Sequence, residues 1–503
     1  MQVALDTSDT YIEVKQKRVG FGTDCSDECL IFVRKETAEM WSTLETKTAS
    51  YFNLLVGGPP GTGKSTEAWA WARWKACSTG KKVTWFHFSK VEKLKVEIDG
   101  LNRTMTTYSA NISDIDSSEG DFLVVDGVTK EASSDIYSRC VSWRRSQPGR
   151  VFVAISSVSS IVISVEQLKD AKICKHTVPS WTFEQYVKAC ENLCFFQKVE
   201  KNLCCPSPNS IEDKYELLLS KYEFAGGCVR WMFDFTFDEW KMDFDEHFEK
   251  VQEYKIVFTE AGGDATQDAV NHLRGLTIEG MEKKYFFISQ HALKELSKKC
   301  SDKRIFIIDS YKKAAETKNP SYLGWIFEFD VDYQLEIANA NKNNIKVVLR
   351  DLKIVEELCV TEFITYKDIN DIISRIPELK ESDILWAKPN LWCQKAFDFL
   401  YFQRSRGEIS MVAVNVSHAM KHTLLLNVLN ELAVSFRLRG CVIAKIRFDF
   451  YVPPSSSEFY VSVITGRLCE WKNLTGQQWP NSDQESHYLE GNFVSIIYIN
   501  PTV

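Results

Sequence analysis

The residues that most clearly invite chemistry run from Gly58 to Ser65, GPPGTGKS, and fit the spacing GxxxxGK[ST]. Glycines let backbone amides turn inward and wrap anionic oxygens. A lysine ammonium at position 64 can reach the outer phosphates of a nucleoside triphosphate, and the Ser65 hydroxyl can coordinate magnesium. ATP is therefore expected to be held by Gly58, Gly61, Thr62, Gly63, Lys64, Ser65 and Thr66, with Mg2+ beside it. A helix beginning near Lys64 would aim its positive end at the same charge.

A phosphate loop needs a second magnesium partner on a neighbouring strand. FLVVDG supplies four apolar residues and then Asp126, and an aspartate buried at a strand end is costly unless it meets a metal or donors. Ser65 and Asp126 are the expected metal pair. VFVAISS offers Ser156 or Ser157 to the terminal phosphate or to water, with a plain strand end as the equal alternative. Hydrolysis asks for an acid that orients water. Asp126 is followed by Gly127, Val128, Thr129 and Lys130, and the nearest acid, Glu131, is displaced along the loop. Binding is thus a firmer expectation than turnover, and a slow switch fits as well as a motor.

These residues must be positioned by elements the chain can form. FNLLV, KKVTWFHF, FLVVD and VFVAIS are short apolar runs separated by helical stretches. That alternation predicts an α/β fold, a parallel sheet sandwiched by helices. From Pro179 to about Glu253 the chain reads as helical. Thr182 with Gln185 fits a capping box opening FEQYVKACENL; NLCCPSPNS reads as a loop; Gly226 and Gly227 break a helix in EDKYELLLSKY. A further helix is expected in SQHALKELSKK. In the last third, FDFLYF and ISMVAVNVS read as a hairpin, AMKHTLLLNVLNELAVSF as a helix, and CVIAKIRFDFYV, EFYVSVIT and FVSIIYIN as strands. The expected organisation is a lead-in over 1–48, a phosphate-loop core over 49–178, a helical lid and connector over 179–318, and a C-terminal domain over 319–503.

Bulk composition sets bounds. A chain of 503 residues exceeds what one core usually serves, and 44% apolar with 26% charged residues describes ordinary globular protein. A formal net charge of -7 exerts no global pull toward nucleic acid. Fifteen cysteines, odd in number and irregular in spacing, read as reduced thiols rather than a disulfide or zinc framework. No basic region followed by an apolar run opens the chain, and no run of about 18 apolar residues is present, so neither a signal peptide nor a membrane span is expected.

At the level of longer segments the chain resembles the crinkler effectors of filamentous pathogens and their relatives, the retrotransposon hot spot proteins. The matching features, in order, are FVRKETAEMW, VGGPPGTGKSTEAWAWARW, VVDG, SWTFEQYVKA, EFAGGCVRWMF, AVNHL, NPSYLGWIFEFDVDYQL and NLWCQKAFDFLYF. The resemblance implies an ATPase core, a helical lid, and a C-terminal domain similar to restriction-type nucleases. It implies a nucleotide-sensing role for Arg230, a cation placed on developing phosphate charge, with a helix-terminal arginine paired to a carboxylate as the alternative. It implies a nuclease-like site with Glu328 on a leading helix and Asp398 on the first hairpin strand. Asn415 and Ser417 stand at the acid-x-lysine positions, with Lys421 and His422 following. Neutral side chains make a weak cage for a hard cation, so cutting of DNA is doubtful on residue chemistry alone. Lys395, Arg404, Arg406, Lys421, Lys445 and Arg447 would offer phosphate contacts near that cleft. By resemblance the protein is a secreted effector acting in a host cell, in the nucleus, on DNA or nuclear proteins, to modulate cell death or immunity; a cytoplasmic location and an oligomeric state remain open.

Two other classes compete. One is a nucleotide-gated binding or scaffold protein with an inactive C-terminal domain, favoured by Asn415 and Ser417. The other is a small-molecule kinase on the same loop, which a long lid and a third domain disfavour.

Overall fold

The computed structural model describes residues 9–15, 28–89, 92–128, 130–156, 165–204, 214–258, 266–280, 282–349, 355–390, 397–418, 421–456, 458–465, 468, 470–479 and 493–502. It divides the chain into two units, Met1–Pro206 with Glu212–Lys299, and Ser207–Ile211 with Cys300–Val503.

In the first unit an antiparallel hairpin of β1 (Thr10–Lys15) and β2 (Glu28–Val33) leads into α1 (Lys35–Ala49). The apolar run FNLLV becomes β3 (Asn53–Gly57), and α2 (Lys64–Thr79) follows the glycine loop. Then come β4 (Lys82–Phe88), β5 (Lys93–Asp99), β6 (Thr104–Ser109), β7 (Phe122–Val128) and α3 (Lys130–Arg145). β8 (Val151–Ser156), α4 (Val165–Asp170) and β9 (Ile173–Thr177) complete the sheet region. The sheet order is β6-β5-β4-β7-β8-β3-β9. From β4 to β9 every neighbouring pair is parallel, as the sequence predicts, whereas β5 and β6 add an antiparallel edge. That edge differs because burial along KLKVEID alternates, the mark of a strand with one solvated face.

Both faces of the central strands are covered, which is why they read as predominantly apolar runs. Met40, Trp41, Leu44, Trp69 and Trp71 of α1 and α2 pack with Leu54, Val56, Val124 and Val153. Ile136, Cys140 and Trp143 of α3 pack on the other face with Phe86, Leu123, Val125 and Phe152. Residues ahead of the first core strand are thus part of the same core.

Helices follow: α5 (Phe183–Ala189), α6 (Leu193–Leu203), α7 (Lys214–Ala225), a π-helical turn at Arg230–Asp234, α8 (Phe237–Glu249) and α9 (Thr266–Leu273). The Thr182–Gln185 capping box forms as its spacing predicts, and α7 stops at Gly226. The hairpin β10 (Arg274–Glu279) and β11 (Glu282–Phe287), then α10 (Gln290–Lys298), end this unit. The loop expected in NLCCPSPNS lies mostly outside the described residues.

The second unit opens with α11 (Lys303–Thr317) and α12 (Pro320–Asn341). β12 (Asn344–Leu349), β13 (Val355–Cys359), β14 (Glu362–Tyr366), α13 (Ile369–Ile373), β15 (Ile384–Pro389), β16 (Phe399–Ser405) and β17 (Glu408–Val416) follow. After them come β18 (Lys421–Leu425), α14 (Leu426–Leu438), β19 (Ile443–Val452), β20 (Tyr460–Thr465) and β21 (Val494–Ile499). A mixed sheet runs β13-β12-β21-β19-β17-β16-β15-β14. Phe327, Val331 and Leu335 of α12 cover one face, and Leu429, Ala433 and Phe436 of α14 the other. The predicted β16–β17 hairpin forms. The helix predicted from AMKHTLLLNVLNELAVSF begins only at Leu426, because Lys421–Leu425 pairs in parallel with β20. Long-range pairing there outweighs local helical periodicity.

Candidate functional site: the phosphate loop

The loop between β3 and α2 is held from several directions. Gly58 lies so close to the chain beyond β9 that a Cβ there would meet the Val178 carbonyl oxygen at 2.4 Å. Gly61 has φ +67, and a Cβ on it would sit 2.3 Å from Cys228 Sγ. Both positions therefore require glycine. The Arg230 amide donates to the Gly61 carbonyl at 3.3 Å, so the segment after α7 closes directly on the loop. Behind it, the buried Arg34 donates to the carbonyls of Thr62 (3.1 Å) and Pro179 (3.1 Å), and Trp181 Nε1 donates to Thr62 O at 3.2 Å. Buried Glu67, in the first turn of α2, accepts from the Thr37 hydroxyl at 2.8 Å and lies 3.6 Å from Arg34 Nε. Burial pushes its carboxyl pKa up, against the pull of Arg34.

Lys64 is buried, and its ammonium is folded into the loop. It donates to Gly58 O at 3.0 Å, Pro59 O at 2.6 Å and Thr62 Oγ1 at 3.3 Å. Burial first, and the neighbouring Arg230 second, bring its pKa down to about 7. The Arg230 side chain is exposed, and its guanidinium makes no hydrogen bond or ion pair among the described residues. The Arg230 guanidinium lies close enough to Lys64 to disfavour its charge, an arrangement that a bound polyanion would relieve.

The expected metal pair is brought together. Ser65 Oγ donates to Asp126 Oδ1 at 2.7 Å, although the residues are 61 apart in sequence. Parallel pairing of β4 with β7 sets His87 opposite Asp126, and His87 Nδ1 lies 2.8 Å from Asp126 Oδ2. A hydroxyl and a carboxylate are hard oxygen donors that suit magnesium completed by water and phosphate. His87 holds the other carboxylate oxygen, an orienting contact of the kind that supports metal ligands. Thr62 is buried within the loop, whereas Gly63 and Thr66 flank the start of α2 half-buried.

Other expectations fare differently. Ser156 is buried at the end of β8 with its hydroxyl donated to Val128 O at 2.9 Å, which commits it to backbone; Ser157 lies outside the described residues. Glu131 is the second residue of α3, and its side chain lies outside the described residues. Glu328 and Asp398 belong to the second unit. Glu328 is half-buried on α12. Asp398 lies just ahead of β16, where its Oδ2 accepts from the Val416 amide at 2.6 Å. Asn415 is buried on β17, and its Oδ1 has no hydrogen-bond partner among the described residues. Lys395 and the Lys421 side chain lie outside the described residues.

His87, Arg34 and Trp181 are the site residues that sequence spacing misses. A histidine in the strand register of Asp126 is the one signal that points to His87 beforehand.

Comparison with protein-family models and with curated proteins found no match. Among solved structures, the chain is similar to AMPPCP-bound DnaA from Aquifex aeolicus at 11% identity, covering 62% of this chain and 92% of that one with a TM-score of 0.25. It is similar to PCH-2 from C. elegans at 13% identity, covering 47% and 67%, with a TM-score of 0.24. ORC1 from Aeropyrum pernix in complex with DNA matches at 11% identity over 52% and 91%, with a TM-score of 0.22. Likenesses this distant identify no family. The strand–loop–helix geometry of the chain itself establishes a phosphate-loop fold in a mixed α/β sheet.

Proposed function

We propose that this protein binds ATP with magnesium at the Gly58–Ser65 loop, hydrolyses it slowly, and uses the nucleotide state to govern a nuclease-like, DNA-directed second unit. The observation that carries the reading is the 2.7 Å contact between Ser65 and Asp126, two oxygen donors from separate motifs placed beside the buried Lys64. In this reading Lys64 and the glycine amides hold the phosphates, Ser65 and Asp126 hold magnesium, and Arg230 senses the terminal phosphate. Slow turnover is inferred because the contact beside Asp126 is His87, and the nearest following acid is Glu131.

The crinkler and retrotransposon hot spot resemblance supports the larger role: an effector acting in the nucleus of a host cell on cell death or immunity. Of its two more specific segments, GGCVRWMF and NPSYLGWIFE, the first meets the phosphate loop through Cys228 and Arg230. For the second unit, the nuclease-like reading rests on Glu328 of α12, Asp398 before β16 and the β16–β17 hairpin.

A second reading, a nucleotide-gated binding protein, is favoured by the neutral Asn415 and Ser417 and by the commitment of Asp398 to the Val416 amide. Phosphate release by the full chain in magnesium, with and without duplex DNA, tests the proposal. Stimulation by DNA, with cutting lost in Asp398→Ala, supports the nuclease-like reading. No cutting by either protein leaves the binding reading, and no phosphate release by the wild type contradicts the ATPase assignment.

A further inference from the structure

A separate cluster of side chains lies on the two helices that follow the Arg230–Asp234 turn. Asp243 and His247 of α8 are four residues apart and so leave the same helix face. α9 packs against α8 and adds His272. Asp243 Oδ1 lies 3.8 Å from His247 Nε2, and Oδ2 lies 3.9 Å from His272 Nδ1. One ligand atom from each residue falls within 4.8 Å of the other two. The two imidazoles are stacked, 3.6 Å between centroids at 15°. Trp231 Nε1 donates to Asp243 Oδ2 at 2.7 Å, fixing the carboxylate as supports of metal ligands do. His247 is buried, and the other two are half-buried.

We propose that Asp243, His247 and His272 form a site for one divalent cation of the zinc class, tying α8 to α9. Two imidazoles and one carboxylate suit zinc, whereas magnesium and calcium select oxygen donors. Three protein ligands leave a fourth position for water. Ligand atoms around tetrahedral zinc stand about 3.3 Å apart, so a trio lying within 4.8 Å closes by up to about 1.5 Å on loading. An ion lies in the plane of each imidazole that binds it, so the stacked rings splay as it enters, through side-chain rotation. The site matters for the phosphate loop because Trp231 adjoins Arg230, whose amide reaches Gly61. This inference stands independently of ATP hydrolysis.

The test is titration of the chelator-stripped full chain with Co2+, read by visible absorption, followed by displacement with Zn2+. The expected result is one Co2+ per chain with the intense band of four-coordinate cobalt, and no thiolate charge-transfer band in the near ultraviolet. A magnesium-type oxygen site at the phosphate loop would give only the pale six-coordinate spectrum. His247→Ala and His272→Ala are each expected to weaken Co2+ by about 100-fold and to abolish the rise in Tm that Zn2+ gives the wild type. Asp243→Asn, which keeps the shape and an acceptor for Trp231, weakens it by about tenfold. The proposal is overturned if the wild type shows no such band, if the band survives both histidine variants, or if a folded Asp243→Asn protein binds Co2+ as the wild type does.

Discussion

Lys64 is a cation whose surroundings disfavour its charge: burial and the nearby Arg230 bring its pKa to about 7 from an ordinary 10.5. Between about pH 7 and 10.5 the unfolded chain therefore holds more protons than the folded one, and this group makes the nucleotide-free protein more stable as pH rises through that window. A bound triphosphate supplies the opposite charge and raises the pKa again. ATP binding is thus expected to take up close to one proton per chain at pH 8.5 and almost none at pH 6, measured by calorimetry in buffers of different ionisation enthalpy. Equal uptake at both pH values would contradict the role given to Lys64. Asp126→Asn should spare ATP binding more than turnover, because magnesium is misplaced. His87→Ala should lower turnover about tenfold through the loosened carboxylate, as loss of a metal-supporting contact does; unchanged steady-state rates in both proteins would refute this. Lys64, Ser65 and Asp126 were legible because their spacing is local or strand-bound. Arg34 and His87 were not, since one crosses 28 residues to Thr62 and the other depends on strand register.

At the scale of elements, the loop is a glycine turn clamped between β3, α2 and the Cys228–Arg230 segment. Gly61→Ala places a methyl against Cys228 Sγ in a left-handed backbone conformation. It should lower Tm by several degrees, and adding Cys228→Ala should recover the steric part but not the backbone part. A Gly61→Ala protein as stable as wild type would show the clamp to be loose. The four central strands are readable because both faces are buried and their runs are predominantly apolar. β9, with the mixed composition ICKHT, and β10, with RGLTIE, carry no such run. β18 reads as helix from sequence because its leucines continue into α14 with helical spacing. Local pattern reports burial faithfully and pairing partners poorly.

Over the whole molecule, charge argues against general contact with nucleic acid. The net charge is -7, and several basic residues proposed for the second unit are engaged within it. Arg447 bonds Asp449 and Tyr401, Lys445 lies 3.1 Å from Glu408, and Arg404 donates to Ile376 O. If the proposed DNA-directed role holds, DNA affinity of the full chain should fall only modestly with added salt, with a slope reflecting few phosphate contacts; a steep slope would point to a basic surface elsewhere. Among the described residues, no helix is long and apolar enough to cross a membrane. Everything larger depends on the nucleotide, and calorimetric titration of Mg-ATP into wild type and Lys64→Ala tests it most directly. The account predicts one site per chain in the wild type and at least about 100-fold weaker binding in the variant. Equal affinity in the two proteins, or no binding by the wild type, would contradict it.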